Sequence, residues 1–197
     1  MLASVILAAG ESRRMGSPKA LAVFRGVSFV EYLADATRHP RVGVTRVVLG
    51  AGAEEIRAKV RVDPAWIIVN PDWEQGQLSS IQAGIRSLPP GTEGMILCPV
   101  DHPLVSANLV AQLIKQFDES GKPIALPSYH GQRGHPVIFR ASLYDELLGA
   151  SPDVGARQVV WAYEQQIADV PTEEEGVILN LNDPETLKKA MGSGGKA

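Results

Sequence analysis

The stretch Leu7 to Lys19, LAAGESRRMGSPK, gathers residue types that can hold a phosphate chain. Ala8, Ala9 and Gly10 are small enough for backbone N–H groups to approach a ligand closely, and a loop rich in such groups makes a concavity for anions. Arg13, Arg14 and Lys19 add positive charge in the same stretch, opposed only by Glu11. Arginine can grip a phosphate through two parallel hydrogen bonds, while lysine acts as a mobile point charge. On spacing alone, a solvated basic turn is an equal reading. A second candidate, Pro99-Val100-Asp101-His102-Pro103, follows the apolar run MILC. A carboxylate there would stand at the carboxyl end of a buried strand, where α/β sheets bind ligands and where a Mg²⁺ bridging phosphates would be needed. The plainer reading of Asp101 is a turn or helix cap ahead of Leu109 and Phe117.

Three further segments carry polar groups at useful places. In Asn70 to Ser80, NPDWEQGQLSS, Gly76 permits a turn and Ser79 or Ser80 can cap the helix that follows, whose N-terminus could face an anion or a base edge. Asn180-Leu181-Asn182-Asp183-Pro184-Glu185 reads as a strand end followed by a helix, with Asp183 at the cap, Pro184 in first position and Glu185 in an acidic first turn. Gly131-Gln132-Arg133-Gly134-His135-Pro136 suits a tight turn, with the proline holding His135 extended. Other features read as structural. Gly50-Ala51-Gly52 lacks the third small residue of a dinucleotide fingerprint, having Glu55 there, and is expected to be a strand-to-helix turn. His39, His102, His130, His135 and Cys98 lack the paired spacing of a zinc site. Cys98 reads as a small core residue and Glu173-Glu174-Glu175 as a solvated loop without a role.

These segments need elements to position them, and the hydrophobic pattern supplies an order. Short apolar runs recur at Val5–Leu7, Val44–Leu49, Trp66–Val69, Met95–Val100 and Ile124–Leu126, as in strands buried on both faces. Between them, apolar residues fall at helical spacing: Phe29, Leu33 and Ala36; Ile56 and Val60; Ile81, Ile85 and Leu88; Leu109, Leu113 and Phe117. Alternating strand and helix predict a mostly parallel sheet covered by helices, a Rossmann-like three-layer α/β sandwich. The order breaks at PSYHGQRGHPVIF, an expected hairpin or β-arm. Two helices, around Ser142–Leu148 and Val154–Tyr163, a strand near Ile167–Val170, the run Val177–Leu181 and a final helix complete the chain.

The 197 residues suit one domain, expected over residues 1–191, with a Gly-rich flexible tail over 192–197. With 19 Lys and Arg against 22 Asp and Glu, the net charge of −3 excludes the broadly cationic surface that holds nucleic acid, and no polybasic membrane anchor is present. No run approaches the roughly 20 apolar residues of a membrane span. One cysteine cannot make an internal disulfide, and the first apolar run precedes its basic residues, the reverse of a signal peptide, so a cytoplasmic location is expected.

LAAGESRRMGSPK resembles the signature of nucleotidyltransferases of the molybdenum-cofactor type, MobA- and MocA-like, and most closely their cytidylyl branch. Such enzymes move a nucleoside monophosphate from an NTP to a phosphorylated acceptor and release pyrophosphate, on a Rossmann-like domain with an inserted β-arm. The resemblance implies that Leu7, Ala8, Ala9 and Gly10 line the nucleotide, the last three at base and ribose, with Arg14 and Lys19 on the triphosphate and Arg13 ranked below them. It implies Mg²⁺ coordination by Asp101 and by Asn182, with Asp183 as the fallback ligand. Ser79 and Ser80 would contact the nucleotide, and His135, in a Gly-His-Pro segment like that of the cytidylyl branch, would contact the acceptor. Ala9 favours CTP over GTP, whereas Asn180-Leu181-Asn182 is at least as close to the guanylyl branch. The expected acceptor is molybdopterin-type and a molybdoenzyme the expected client. A cytidylyltransferase for an isoprenoid-precursor or sugar phosphate and a non-catalytic nucleotide-binding accessory protein are the competing readings.

Overall fold

The computed structural model describes residues 1–183 and 185–188. The continuous apolar run near the N-terminus becomes β1, Leu2–Ala8, buried along its whole length. A two-strand hairpin, β2 (Val23–Phe24) and β3 (Val27–Ser28), leads into α1, Phe29–Ala36, which opens with Ser28 and Glu31 capping each other's backbone. Then come β4 (Val42–Leu49), α2 (Ala53–Lys59), β5 (Ile67–Val69), α3 (Gln77–Arg86) and β6 (Gly94–Pro99). They are followed by α4 (Ala107–Ser120), β7 (Ile124–Tyr129), β8 (Gln132–Arg133) and β9 (Val137–Arg140). Last are α5 (Tyr144–Leu148), α6 (Arg157–Ala162) and β10 (Ile167–Pro171).

The main sheet runs β10-β7-β9-β6-β1-β4-β5, with β8 beside β7. β1 pairs parallel with both β4 and β6, β4 with β5, and β7 with β10; β9 is antiparallel to both its neighbours. This is the mostly parallel, helix-covered sandwich that the alternation predicted. Period-two alternation along β1 divides the core. Leu2, Ile6 and Ala8 face the cluster built with α1, α2 and α4, while Ala3, Val5 and Leu7 face the one built with α3, α5 and α6. From β1 the chain moves outward through β4 and β5 and then returns to place β6 on the other side of β1. The loops leaving the carboxyl ends of the adjacent strands β1 and β6 therefore stand side by side at the end of the sheet where α/β folds bind ligands.

The expected hairpin forms, with β8 and β9 both antiparallel to β7, and β9 enters the main sheet between β6 and β7, because Val137, Ile138 and Phe139 are apolar and buried. Two local expectations are corrected. Trp66 ends a short 3-10 turn, Pro64–Trp66, whose cap is Asp63, rather than beginning a strand. Val177–Leu181 forms no strand. A 3-10 turn, Glu175–Val177, precedes irregular chain there. Asp183 caps the final helical residues, 185–188, through its Oδ1 atom, which accepts from the N–H groups of Glu185 (3.0 Å) and Thr186 (2.8 Å). Pro184 and the expected tail over 192–197 lie outside the described residues.

Candidate active site

The loop that follows β1 is folded back on itself. Ser12 adopts a left-handed conformation, φ 55°, and its Oγ accepts the N–H of Lys19 at 2.9 Å, so the 3-10 turn Arg13–Met15 is closed off as a lobe. Lys19 is thereby returned to the carboxyl end of the sheet. The neighbouring loops are laced to this one: the Leu7 carbonyl accepts from Val100 N–H (2.9 Å) and the Ala9 carbonyl from Ala51 N–H (3.0 Å). Between them lies a cleft of about 670 Å³ lined by Leu7, Ala9, Gly10, Arg13, Lys19, Trp73, Gln77, Ser80 and Asp101, among others. That volume is in the usual range for a small-molecule site, about 300 to 1,000 Å³.

A charged centre stands at the wall of the cleft. The Lys19 ammonium lies 3.8 Å from the Asp101 carboxylate and donates to the side-chain oxygen of Asn182. Lys19 is mostly enclosed, its side chain 15% exposed, against 25% for Asp101. Burial pulls the Lys19 pKa below the ordinary lysine value, opposed by Asp101 and reinforced by Arg14. The Leu181 N–H donates to the Asp101 main-chain carbonyl at 2.8 Å, which sets Asn182 beside Asp101. One carboxylate and one amide oxygen thus converge on a single cation. Both are hard oxygen donors of the kind that Mg²⁺ or Mn²⁺ accepts, the remaining positions being suited to phosphate oxygens and water. Asp183 is engaged as a helix cap, so the structure brings Asn182, and not the fallback Asp183, to this point.

The other expected residues divide. Leu7, Ala9, Gly10 and Ser80 line the cleft. The Ala8 side chain turns into the core and is 3% exposed. Ser79 is held away from the cleft, its one hydroxyl proton shared between the carbonyls of Asp72 and Gly76 (2.8 Å each) while its oxygen accepts from the Asn70 amide. Neither serine is the cap of α3, which is Gly76; both lie inside its first turn. Both arginines are exposed: Arg13, ranked lower from the sequence, lines the cleft with its guanidinium 2.5 Å from Glu11, and Arg14 acts on Lys19 and Asp183 through its charge.

The His135 ring packs against that of His102 at a tilt of 50°, with ring centroids 4.7 Å apart, and His102 adjoins Asp101 in the chain. Among the described residues, the Nδ1 atoms of both rings are buried without a hydrogen-bond partner. His135 also lines a second cleft, of about 380 Å³, that shares Gly76 and Gln77 with the first. Burial, with His102 beside it and despite Asp101, lowers the His135 pKa from 6.5 to about 4. Between those values the unfolded chain binds a proton that the folded chain refuses. Stability is therefore expected to be full above about pH 6.5 and to fall as the pH drops toward 4, by up to about 3 kcal/mol from this group. Urea melts across pH 4 to 7 in EDTA check this: His135→Gln should flatten the acid limb, and an unchanged limb would contradict the assignment.

Several participants carried no signal strong enough to be singled out from the sequence. Ser12 closes the loop, Trp73 and Gln77 line the cleft, and Asn70 organises both serines of α3. Gly50 leaves no room for a side chain between Trp73 and the Ala9 carbonyl, so its absent Cβ is what lets Trp73 reach the cleft. The turn Gly50–Gly52 indeed links β4 to α2, and Glu54 and Glu55 occupy the first turn of that helix, where a pyrophosphate would be repelled.

Comparison with known proteins agrees with this architecture. The chain is 34% identical over 163 residues to the nicotine blue oxidoreductase of Paenarthrobacter nicotinovorans, covering 78% of each chain. It is 28% identical over 199 residues to a molybdenum cofactor guanylyltransferase of Cereibacter sphaeroides, covering 96% of this chain and 95% of that one. In fold it is similar to Rv0371c of Mycobacterium tuberculosis H37Rv, with a TM-score of 0.85, 23% identity and coverage of 97% and 98%. A manganese complex of the same mycobacterial protein superposes with a TM-score of 0.81 at 22% identity, covering 98% of both chains. Among the described residues, no helix is long and apolar enough to cross a membrane. The family model for the MobA-like NTP transferase domain matches residues 4–167, the span that contains most of β1, the loop after it and Asp101, and the chain belongs to that nucleotidyltransferase family.

Proposed function

We propose that this chain transfers CMP from CTP to the terminal phosphate of a molybdopterin-type acceptor and releases pyrophosphate, with Mg²⁺ held by Asp101 and Asn182. The observation that carries the reading is the convergence of Asp101 and Asn182 on Lys19, three residues from separate parts of the chain, where Lys19 and Asp101 line one cleft. An acceptor phosphate oxygen attacks the α-phosphorus, the bond from that phosphorus to the β-phosphate oxygen breaks, and pyrophosphate leaves. The acceptor phosphate is already ionised near neutral pH, so no general base is required. Lys19 and Arg14 would offset negative charge on the departing pyrophosphate, and small residues at Ala9 and Gly10 let the nucleotide lie against the loop backbone. When bound, the divalent cation would neutralise charge shared by the α-phosphate and the incoming phosphate. The second cleft, with His135 in its wall, is the place for the body of the acceptor. The whole domain would act as a single unit, on a molybdoenzyme's cofactor before its delivery.

Ala9 supports the choice of CTP, since one methyl on the cleft wall narrows the base pocket; such discrimination is worth about 1 to 3 kcal/mol. A second reading, GTP as donor, is supported by the full-length likeness to a guanylyltransferase. Pyrophosphate release with molybdopterin, Mg²⁺ and either CTP or GTP separates them. CTP is expected to be favoured, and Ala9→Gly should shift the CTP-to-GTP ratio of kcat/KM toward GTP by roughly 10-fold. A native preference for GTP would establish the second reading. Release only with an isoprenoid-precursor or sugar phosphate would move the acceptor assignment, and tight NTP binding with no release for any acceptor would indicate an accessory protein.

A further inference from the structure

The chain from Thr172 to Asn182 forms no strand, yet it delivers Asn182 to Asp101 across the molecule. We propose that Glu174 is a positioning residue for this pair, fastening the segment so that the two oxygen donors meet. The inference rests on the reading above in which Asp101 and Asn182 hold a divalent cation. Glu174 is half-buried between exposed Glu173 and Glu175. Its carboxylate accepts the hydroxyl of Ser106 at 2.5 Å and the N–H of Ser106 at 3.2 Å. Ser106 in turn caps α4, its Oγ accepting from Leu109 N–H at 3.0 Å, and it closes the short loop that begins at Asp101. Glu174 therefore ties the segment carrying one donor to the far end of the loop carrying the other.

Further contacts make the tie directional. The Val177 carbonyl accepts from His135 N–H at 2.9 Å, and the Leu181 N–H reaches the Asp101 carbonyl at 2.8 Å. Gly176 lies so close to the Leu104 carbonyl that a Cβ has no space. Loss of the Glu174 anchor leaves the later contacts, but frees the start of the segment to slide along the loop. Glutamine in its place has one accepting oxygen, and its amide group faces a donor, so one of the two Ser106 donors loses its acceptor.

The test is Mn²⁺ binding to the full chain in the presence of CTP, followed by the electron paramagnetic resonance signal of free Mn²⁺. Glu174→Gln is expected to weaken Mn²⁺ binding roughly 10-fold, as removal of a partner behind a metal ligand does. CTP affinity in EDTA should be unchanged, and raised Mg²⁺ should restore pyrophosphate release. Ser106→Asp keeps an acceptor for Leu109 N–H but repels Glu174, and the same loss is expected there, which guards against a variant that fails to fold. Asp101→Asn is the reference. If it weakens Mn²⁺ binding while Glu174→Gln and Ser106→Asp do not, even where they melt at lower temperature, the positioning role is overturned and the metal assignment stands. If Asp101→Asn also leaves binding unchanged, or the wild-type chain binds no Mn²⁺, the metal assignment fails and the positioning role with it.

Discussion

Asp101→Asn is expected to lower nucleotidyl transfer by about 10³-fold or more, equivalent to roughly 4 kcal/mol of transition-state stabilisation. The substitution keeps the shape and one oxygen of the side chain but removes the charge, which is what a divalent cation and the Lys19 ammonium both meet. The ion pair at 3.8 Å would be lost, leaving Lys19 enclosed without its carboxylate partner. The fold should survive, because the hydrogen bond that anchors Leu181 ends on the Asp101 main-chain carbonyl and not on its side chain. Initial rates of pyrophosphate release at saturating nucleotide and acceptor, over a range of Mg²⁺ concentrations, check the result. A variant within a few-fold of the wild type at every Mg²⁺ level would remove Asp101 from the reaction.

Lys19→Met comes next, with an expected fall of about 10² to 10³ in kcat, the range found when one preorganised group that meets developing charge is deleted. Lys19 is fixed from three sides. Its N–H is held by Ser12, and its ammonium meets both Asp101 and Asn182. Methionine retains the apolar stem and removes the charge, so CTP binding should weaken as well. Lys19→Arg restores charge in a wider, planar form and is expected to recover only part of the rate. Weaker CTP binding with an unchanged kcat for Lys19→Met would mean that the ammonium contributes uniform binding and no catalysis; a clear fall in kcat is the expected pattern.

Much of the frame was legible because each buried parallel strand announces itself as a short apolar run, as β1, β4 and β6 do. That the loop after β1 would line a cleft was legible because small and basic residues are concentrated in thirteen consecutive positions, Leu7 to Lys19. What escaped was set by tertiary contact. Val137 to Phe139 look like the return strand of an arm, and only their burial between β6 and β7 makes β9 part of the sheet. The acidic run Glu173 to Glu175 reads as solvent-facing, yet its middle residue bonds Ser106, a partner 68 positions away that no local pattern reveals. The choice between Asn182 and Asp183 was likewise open in sequence. In the structure the two have different contacts: Asp183 holds two backbone N–H groups of the final helix, and Asn182 faces Lys19, which is why the proposal takes Asn182.

In the proposed reaction the cleft beside β1 and β6 moves a nucleoside monophosphate onto a phosphate acceptor, with Asp101 and Lys19 at its reacting wall. The most direct measurement follows the label from CTP carrying ³²P at the α-phosphate during incubation with molybdopterin and Mg²⁺. The label is expected to move onto molybdopterin in step with pyrophosphate release by the wild-type chain, and to stay on CTP with Asp101→Asn. Label that remains on CTP with the folded wild-type chain, or that moves equally well with Asp101→Asn, would contradict the account.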